Sequence, residues 1–120
     1  MGKRIHVAVY GTLKRGFENY ERLLPGERPV LVTLAQLPYR LYAGAEYPML
    51  VPDDTLGPVA LEIYQVGEDK LRELDALEAP YGYRRESVYL ESLGEDVEIY
   101  VHPAPAPEGF ELVPDGEWMG

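Results

Sequence analysis

Apolar residues along the 120-residue chain fall mainly in short alternating runs, with helical spacing in only two places. Ile5–Tyr10 is a β-branched, apolar run that predicts a first strand. Val30–Leu37 and Arg40–Ala43 predict two more, interrupted around Pro38, because proline cannot donate to a strand ladder. Tyr47–Val51 is a short strand. Val-Ala-Leu-Glu-Ile-Tyr-Gln-Val over 59–66 alternates as a half-buried strand should. Arg84–Ser92 and Val97–His102 complete the set. Gly44–Tyr47 and Pro52–Pro58 read as loops between strands. Ten tyrosines are present, most of them in or beside these runs, where a large ring with a polar tip suits a pleated, half-buried surface.

Helical spacing appears at Phe17–Leu24, about two turns long by the 3.6-residue period, and more strongly at Glu68–Glu78. There Leu71, Leu74 and Leu77 recur every three residues. Glu68 and Asp69 place negative charge where the helix dipole favours it, and Pro80 stops the helix. Many strands with one firm helix predict an α+β domain, a curled or barrel-like sheet with the helix laid against it. The alternating prolines of His102–Pro107 predict an extended crossing segment. The tail beyond it carries Phe110, Leu112, Val113 and Trp118 and is expected to pack back on the body. No internal repeat or linker divides the chain, so residues 1–120 are read as one domain.

Charge and composition narrow the function classes. The chain has 11 basic and 21 acidic residues, a net charge of -10, and no cysteine. Disulfides, thiolate metal sites and cysteine nucleophiles are therefore excluded. Residues 1–40 carry seven basic and three acidic groups, whereas residues 86–120 carry nine acidic groups and no Lys or Arg. An acidic chain of this kind is not expected to bind nucleic acid, since phosphate contacts need clustered cations. Its basic front half suits a small carboxylate ligand. The apolar run after Met1-Gly2-Lys3-Arg4 is too short for a secretion signal, and nothing approaches the ~20 apolar residues that span a bilayer. The expectation is a cytoplasmic protein without a membrane partner, a monomer or weak homodimer.

The two histidines, His6 and His102, are far apart in sequence and give no metal-ligand spacing. No nucleophile elbow or Walker loop is present. Three segments remain. Gly11-Thr12-Leu13-Lys14-Arg15-Gly16 follows the first strand, and its glycines permit a tight loop whose N–H groups converge as an anion nest, with Lys14 and Arg15 adding positive potential. It reads equally well as an ordinary strand-to-helix turn with solvated charges. Glu78 falls on the stripe of Leu71 and Leu74, while Asp75 sits on its flank. A carboxylate aimed at an apolar side, in the last turn of a helix, has its pKa pushed up toward the range of a general base. The competing reading has Glu78 at a fraying end, in water or paired with Arg84 or Arg85. Third, Tyr81-Gly82-Tyr83-Arg84-Arg85 places a turn and aromatic rings directly after that glutamate.

Together these segments resemble the gamma-glutamylcyclotransferase-like family. Val9-Tyr10-Gly11-Thr12-Leu13 is similar to its Tyr-Gly-Ser/Thr-Leu loop, and Leu74-Asp75-Ala76-Leu77-Glu78 with Tyr83-Arg84-Arg85 to its Leu-Asp-x-x-Glu and Tyr-x-Arg segments. Tyr47-Pro48, Glu62-Ile63-Tyr64 and Pro114-Asp115-Gly116-Glu117-Trp118 follow in matching order. The resemblance implies a small mixed β-barrel with flanking helices. It also implies cofactor- and metal-free cyclisation of a gamma-glutamyl amine or amino acid to 5-oxoproline with release of the free amine. By the same resemblance Glu78 is the base, backbone groups of Gly11, Thr12 and Leu13 hold the substrate carboxylate or the oxyanion, and Tyr10 and Tyr83 border the pocket. The chain departs from the family pattern at Leu61 and Ala79, where glycine is usual. The class outside enzymes that competes with this reading is a non-catalytic module binding a small anion on the same fold.

Overall fold

The computed structural model describes residues 4–103 and 105–120. The basic start at Met1–Lys3 and part of the proline segment, Ala104, lie outside the described residues. Strand β1 is Ile5–Val9, β2 Leu31–Ala43, β3 Pro48–Val66, β4 Arg84–Leu90, β5 Glu95–Val101 and β6 Glu111–Leu112. Helix α1 spans Glu18–Leu23 and α2 Glu68–Glu78, followed by a 3₁₀ turn at Ala79–Tyr81. The strands form one sheet in the order β4-β5-β1-β3-β2-β6, antiparallel except for the β1–β5 pair.

The long hairpin of β2 and β3 curls this sheet. Residues 62–66 of β3 pair with β1, while its beginning pairs with the end of β2. The N–H of His102, just past β5, donates to the Leu50 carbonyl at 2.8 Å. One end of β3 thus returns to the strand two places away from its other end, and the sheet becomes a half-barrel. Alternation then sorts the side chains. Ala8, Leu61, Ile63, Val97, Ile99 and Val101 fill the inside of the curl together with Trp118 of the tail. Val7, Val9, Tyr64, Val66 and Tyr100 face the other way, where Leu13, Tyr20, Leu24, Leu71 and Leu74 cover them.

Two expectations are revised. Tyr47–Val51 and Val59–Val66 belong to one strand, and β2 runs unbroken through Pro38. The register jumps from Leu37↔Gly57 to Tyr39↔Pro52, so Asp53–Leu56 bulge out of the ladder without ending it. Arg40 secures the bulge by donating to the Thr55 carbonyl at 3.0 Å and pairing with Asp53. The tail packs back as expected, and also adds the short strand β6 to the edge of β2.

Candidate active site

The end of β1, the last turn of α2 and the start of β4 meet at a cavity of about 300 Å³. Tyr10, Gly11, Thr12, Leu13, Glu78 and Tyr83, all singled out from sequence, line it together. Gly11 sits so close to Pro48 that an added Cβ would lie 2.7 Å from its Cγ. The loop is heavily pinned. The Thr12 carbonyl accepts the N–H groups of Asn19 and Tyr20, which covers the start of α1 where Phe17 offers no side-chain cap. Asn19 donates from its amide to the Thr12 hydroxyl at 2.7 Å, and Glu62 accepts the N–H of Arg15 at 2.8 Å. With the Lys14 N–H, which donates to the Gly11 carbonyl at 2.9 Å, these bonds use the N–H groups of Lys14, Arg15, Asn19 and Tyr20, and none of those of Gly11, Thr12 and Leu13.

Lys14 and Arg15 do not line the cavity. Lys14 is buried, donates to the Trp118 carbonyl at 2.6 Å and lies over the Phe17 ring. Burial pulls its pKa below the usual lysine value. Positive charge on the described wall comes instead from Arg22 of α1, which the sequence reading passed over. Arg22, Asn19 and Glu18 share one face of that short helix, which is the pattern that points to it.

Glu78 is half-buried, and no hydrogen bond or ion pair holds its carboxylate among the described residues. Arg84 pairs with Glu86, and Arg85 with Asp75 and Glu98. Burial pushes the Glu78 carboxyl from an ordinary 4.5 to about 7. The last turn of α2 carries no basic residue to offset the helix dipole, which acts in the same direction. Tyr10 and Tyr83 also titrate above their ordinary value, through burial first and then, among other neighbouring charges, that of Glu78. Both hydroxyls are engaged, Tyr10 donating to the Tyr100 carbonyl and Tyr83 to the Pro48 carbonyl, each at 2.6 Å. Of the two stretches read as loops between strands, Gly44–Tyr47 contributes Glu46 and Tyr47 to the cavity; no residue of Pro52–Pro58 reaches it.

The model of the family described as gamma-glutamyl cyclotransferase, AIG2-like, matches residues 7–120. The chain belongs to this family. It is 31% identical over 116 residues to a Methanocaldococcus jannaschii protein provisionally named a gamma-glutamylcyclotransferase, covering 94% of each chain. A mouse AIG2-like protein of known structure is similar at 30% identity and a TM-score of 0.68, over 97% of this chain and 88% of that one. A uropathogenic Escherichia coli protein shares the fold at 24% identity and a TM-score of 0.78, over 97% and 93%.

The two departures from the cyclotransferase-like pattern have structural answers. Leu61 points into the curl, where it is fully buried, and takes no part in the cavity wall. Ala79 continues in right-handed helical geometry, so it needs no glycine; the left-handed position falls to Gly82 at φ +87°. That turn delivers Tyr83 to the cavity. Tyr100, from β5, is the lining residue most clearly missed from sequence.

Proposed function

We propose that this protein cyclises gamma-glutamyl amines or gamma-glutamyl amino acids to 5-oxoproline, releasing the free amine, with Glu78 as general base. The observation that carries this reading is the unpaired Glu78 carboxylate, raised to about 7, on the same cavity as the loop Gly11–Leu13. A base titrating near 7 is half ionised at neutral pH and still strong enough to take a proton. Glu78 accepts a proton from the substrate α-amine; the nitrogen lone pair attacks the side-chain carbonyl carbon of the same molecule. A five-membered ring closes, and the carbonyl oxygen becomes an oxyanion. Collapse of that intermediate breaks the bond to the leaving nitrogen, which takes the proton back from Glu78. Ring closure is intramolecular, so the site has mainly to select a folded conformer of the substrate and move one proton. The N–H groups of Gly11, Thr12 and Leu13, free of the loop's own bonds, hold the α-carboxylate or the oxyanion, with Arg22 adding charge on the same side. A module that merely bound an anion would gain nothing from a half-buried, unpaired carboxylate, which repels one.

The test is 5-oxoproline release from gamma-glutamyl amines, dipeptides and glutathione, with wild type beside Glu78→Gln. Turnover by wild type that falls at least ~100-fold in the variant is expected, the low end of what a positioned base contributes. A folded wild type inactive on the whole panel would overturn the proposal.

A further inference from the structure

The loop after β1 and the last turn of α2 both line the cavity, and one residue, Tyr100, is tied to both. The main-chain carbonyl of Tyr100 accepts the Tyr10 hydroxyl at 2.6 Å. Its own hydroxyl donates to Oδ1 of Asp75 at 2.7 Å. Asp75 precedes Glu78 by three residues, one turn back along α2. The same Oδ1 accepts Nε of Arg85 at 3.0 Å. Arg85 continues to Glu98 at 2.7 Å, and Glu98 accepts the Ser87 hydroxyl at 2.8 Å. Arg85 is the cross-strand partner of Tyr100, and Ser87 of Glu98, so the whole network stands on one face of the β4–β5 pair.

This network acts where apolar packing runs out. α2 buries Leu71 and Leu74 fully, and Leu77 only in part. Past Leu74, the polar hold on the helix among the described residues is Asp75, since Glu78 has no partner of its own. A base must sit within about 0.5 Å of its productive place, which requires a supporting contact that does not consume the base. We propose that Tyr100, acting through Asp75, is the positioning residue of this site: it fixes the last turn of α2, and with it Glu78, relative to Tyr10 and the Gly11–Leu13 loop. This inference rests on Glu78 being the base, and it adds the side chain that holds the base in register with the loop.

The titratable groups around Glu78 come from several elements. Tyr10, just after β1, Tyr83, just before β4, and Tyr100 of β5 face it, each with its own titration raised in part by the Glu78 charge. Asp75 lies on its own helix. Glu18 and Arg22 of α1, and Glu46 of the Gly44–Tyr47 loop, line the same cavity. Tyr100→Phe removes only the Tyr100 phenol, which burial keeps un-ionised well above the pH range of Glu78, and leaves the other groups in place, so a shift of the Glu78 midpoint in that variant reports position.

The experiment compares the full-length wild type with Tyr100→Phe, Asp75→Ala and Asp75→Asn. Steady-state kinetics use a gamma-glutamyl substrate that wild type cleaves, and the Glu78 carboxyl is titrated by carbon-13 NMR. In Tyr100→Phe, kcat should fall at least ~10-fold with KM changed less than ~2-fold, as expected of a displaced base. The Glu78 midpoint should move down from about 7. Asp75→Ala should behave alike, and Asp75→Asn, which keeps an accepting oxygen, should recover at least ~5-fold in kcat over Asp75→Ala. Unchanged kcat and midpoint in a folded Tyr100→Phe, or a loss confined to KM, would overturn the positioning role. Should Tyr100→Phe not fold, the Asp75→Asn and Asp75→Ala pair decides by the same criteria. A wild type without turnover would instead refute the base reading, and the NMR titration would then decide the positioning role by itself.

Discussion

The Lys14 ammonium donates to the main-chain carbonyl of Trp118 at 2.6 Å, across 104 positions of sequence. The bond joins the loop beside the cavity to the far end of the chain. Trp118 itself packs inside the curled sheet and against Phe17, ring centroids 4.9 Å apart. Lys14 thus serves the loop as an anchor rather than as a charge offered to ligand. Lys14→Met keeps much of the apolar stem but leaves the buried carbonyl unmatched. The expected cost is about 1–3 kcal/mol of stability, the penalty for a buried acceptor without its donor. Urea unfolding should show a lower midpoint with an unchanged slope, because the surface exposed on unfolding stays the same.

Activity should follow the ionisation of Glu78. With its carboxyl at about 7, the proton-accepting form is scarce at pH 5 and dominant at pH 8. The profile of kcat/KM should rise with pH and reach half of its plateau near 7. A half-point at an ordinary carboxylate pH would contradict control of the reaction by a Glu78 carboxyl raised to about 7.

The same ionisation has the opposite effect on stability. The folded-state pKa of Glu78 lies above its unfolded value of 4.5. Between about 4.5 and 7 the folded state therefore binds more protons, and unfolding free energy declines as pH rises through that window. Glu78→Gln removes this dependence. The variant should match wild type near pH 4 and exceed it near pH 8 by about 1–3 kcal/mol, the range left after allowing for partial exposure of the carboxylate. Thermal or urea melts at the two pH values check the sign, and a variant less stable than wild type at pH 8 would contradict it.

How much of this was legible in the sequence depends on whether the controlling contact is local. The direction of Glu78 follows from its spacing to Leu71 and Leu74 within one helix, so periodicity alone reveals it. Lys14, between Gly11 and Gly16, reads as a cation turned to an anion or to solvent, because the carbonyl that receives it belongs to residue 118. Pro52–Pro58 reads as a loop from its prolines, aspartates and glycine; Arg40, on the neighbouring strand, holds it as a bulge. Tyr100 lies in a run correctly read as a strand. What sequence does not carry is the register that sets Tyr100 opposite Arg85 and turns both toward Asp75. Contacts of this kind are decided by the packing of α2 on the sheet, which no single segment encodes.

Gly11 gives the most direct test of how tightly the loop is fitted. Its environment admits no side chain: a Cβ there would stand 2.7 Å from Cγ and 3.0 Å from Cδ of Pro48. Pro48 begins β3, where it pairs with Ala43, and its carbonyl receives the Tyr83 hydroxyl. Gly11→Ala must therefore displace the loop, or push Pro48 and with it Tyr83 on the cavity wall. The cost expected for overpacking is about 1–3 kcal/mol. Because the displaced atoms border the cavity, the kinetic effect should exceed the stability effect. A protein still folded at assay temperature should lose roughly 10- to 100-fold in kcat/KM, as misplacements near 1 Å do. Gly16→Ala is the paired control: Gly16 has φ +94° with open space around it, and it lies outside the cavity lining. It should show backbone strain of about 1–2 kcal/mol but nearly wild-type kcat/KM. Equal kinetic losses in the two variants would mean that any loosening of the loop suffices, and that the close fit of Gly11 against Pro48 has no separate role.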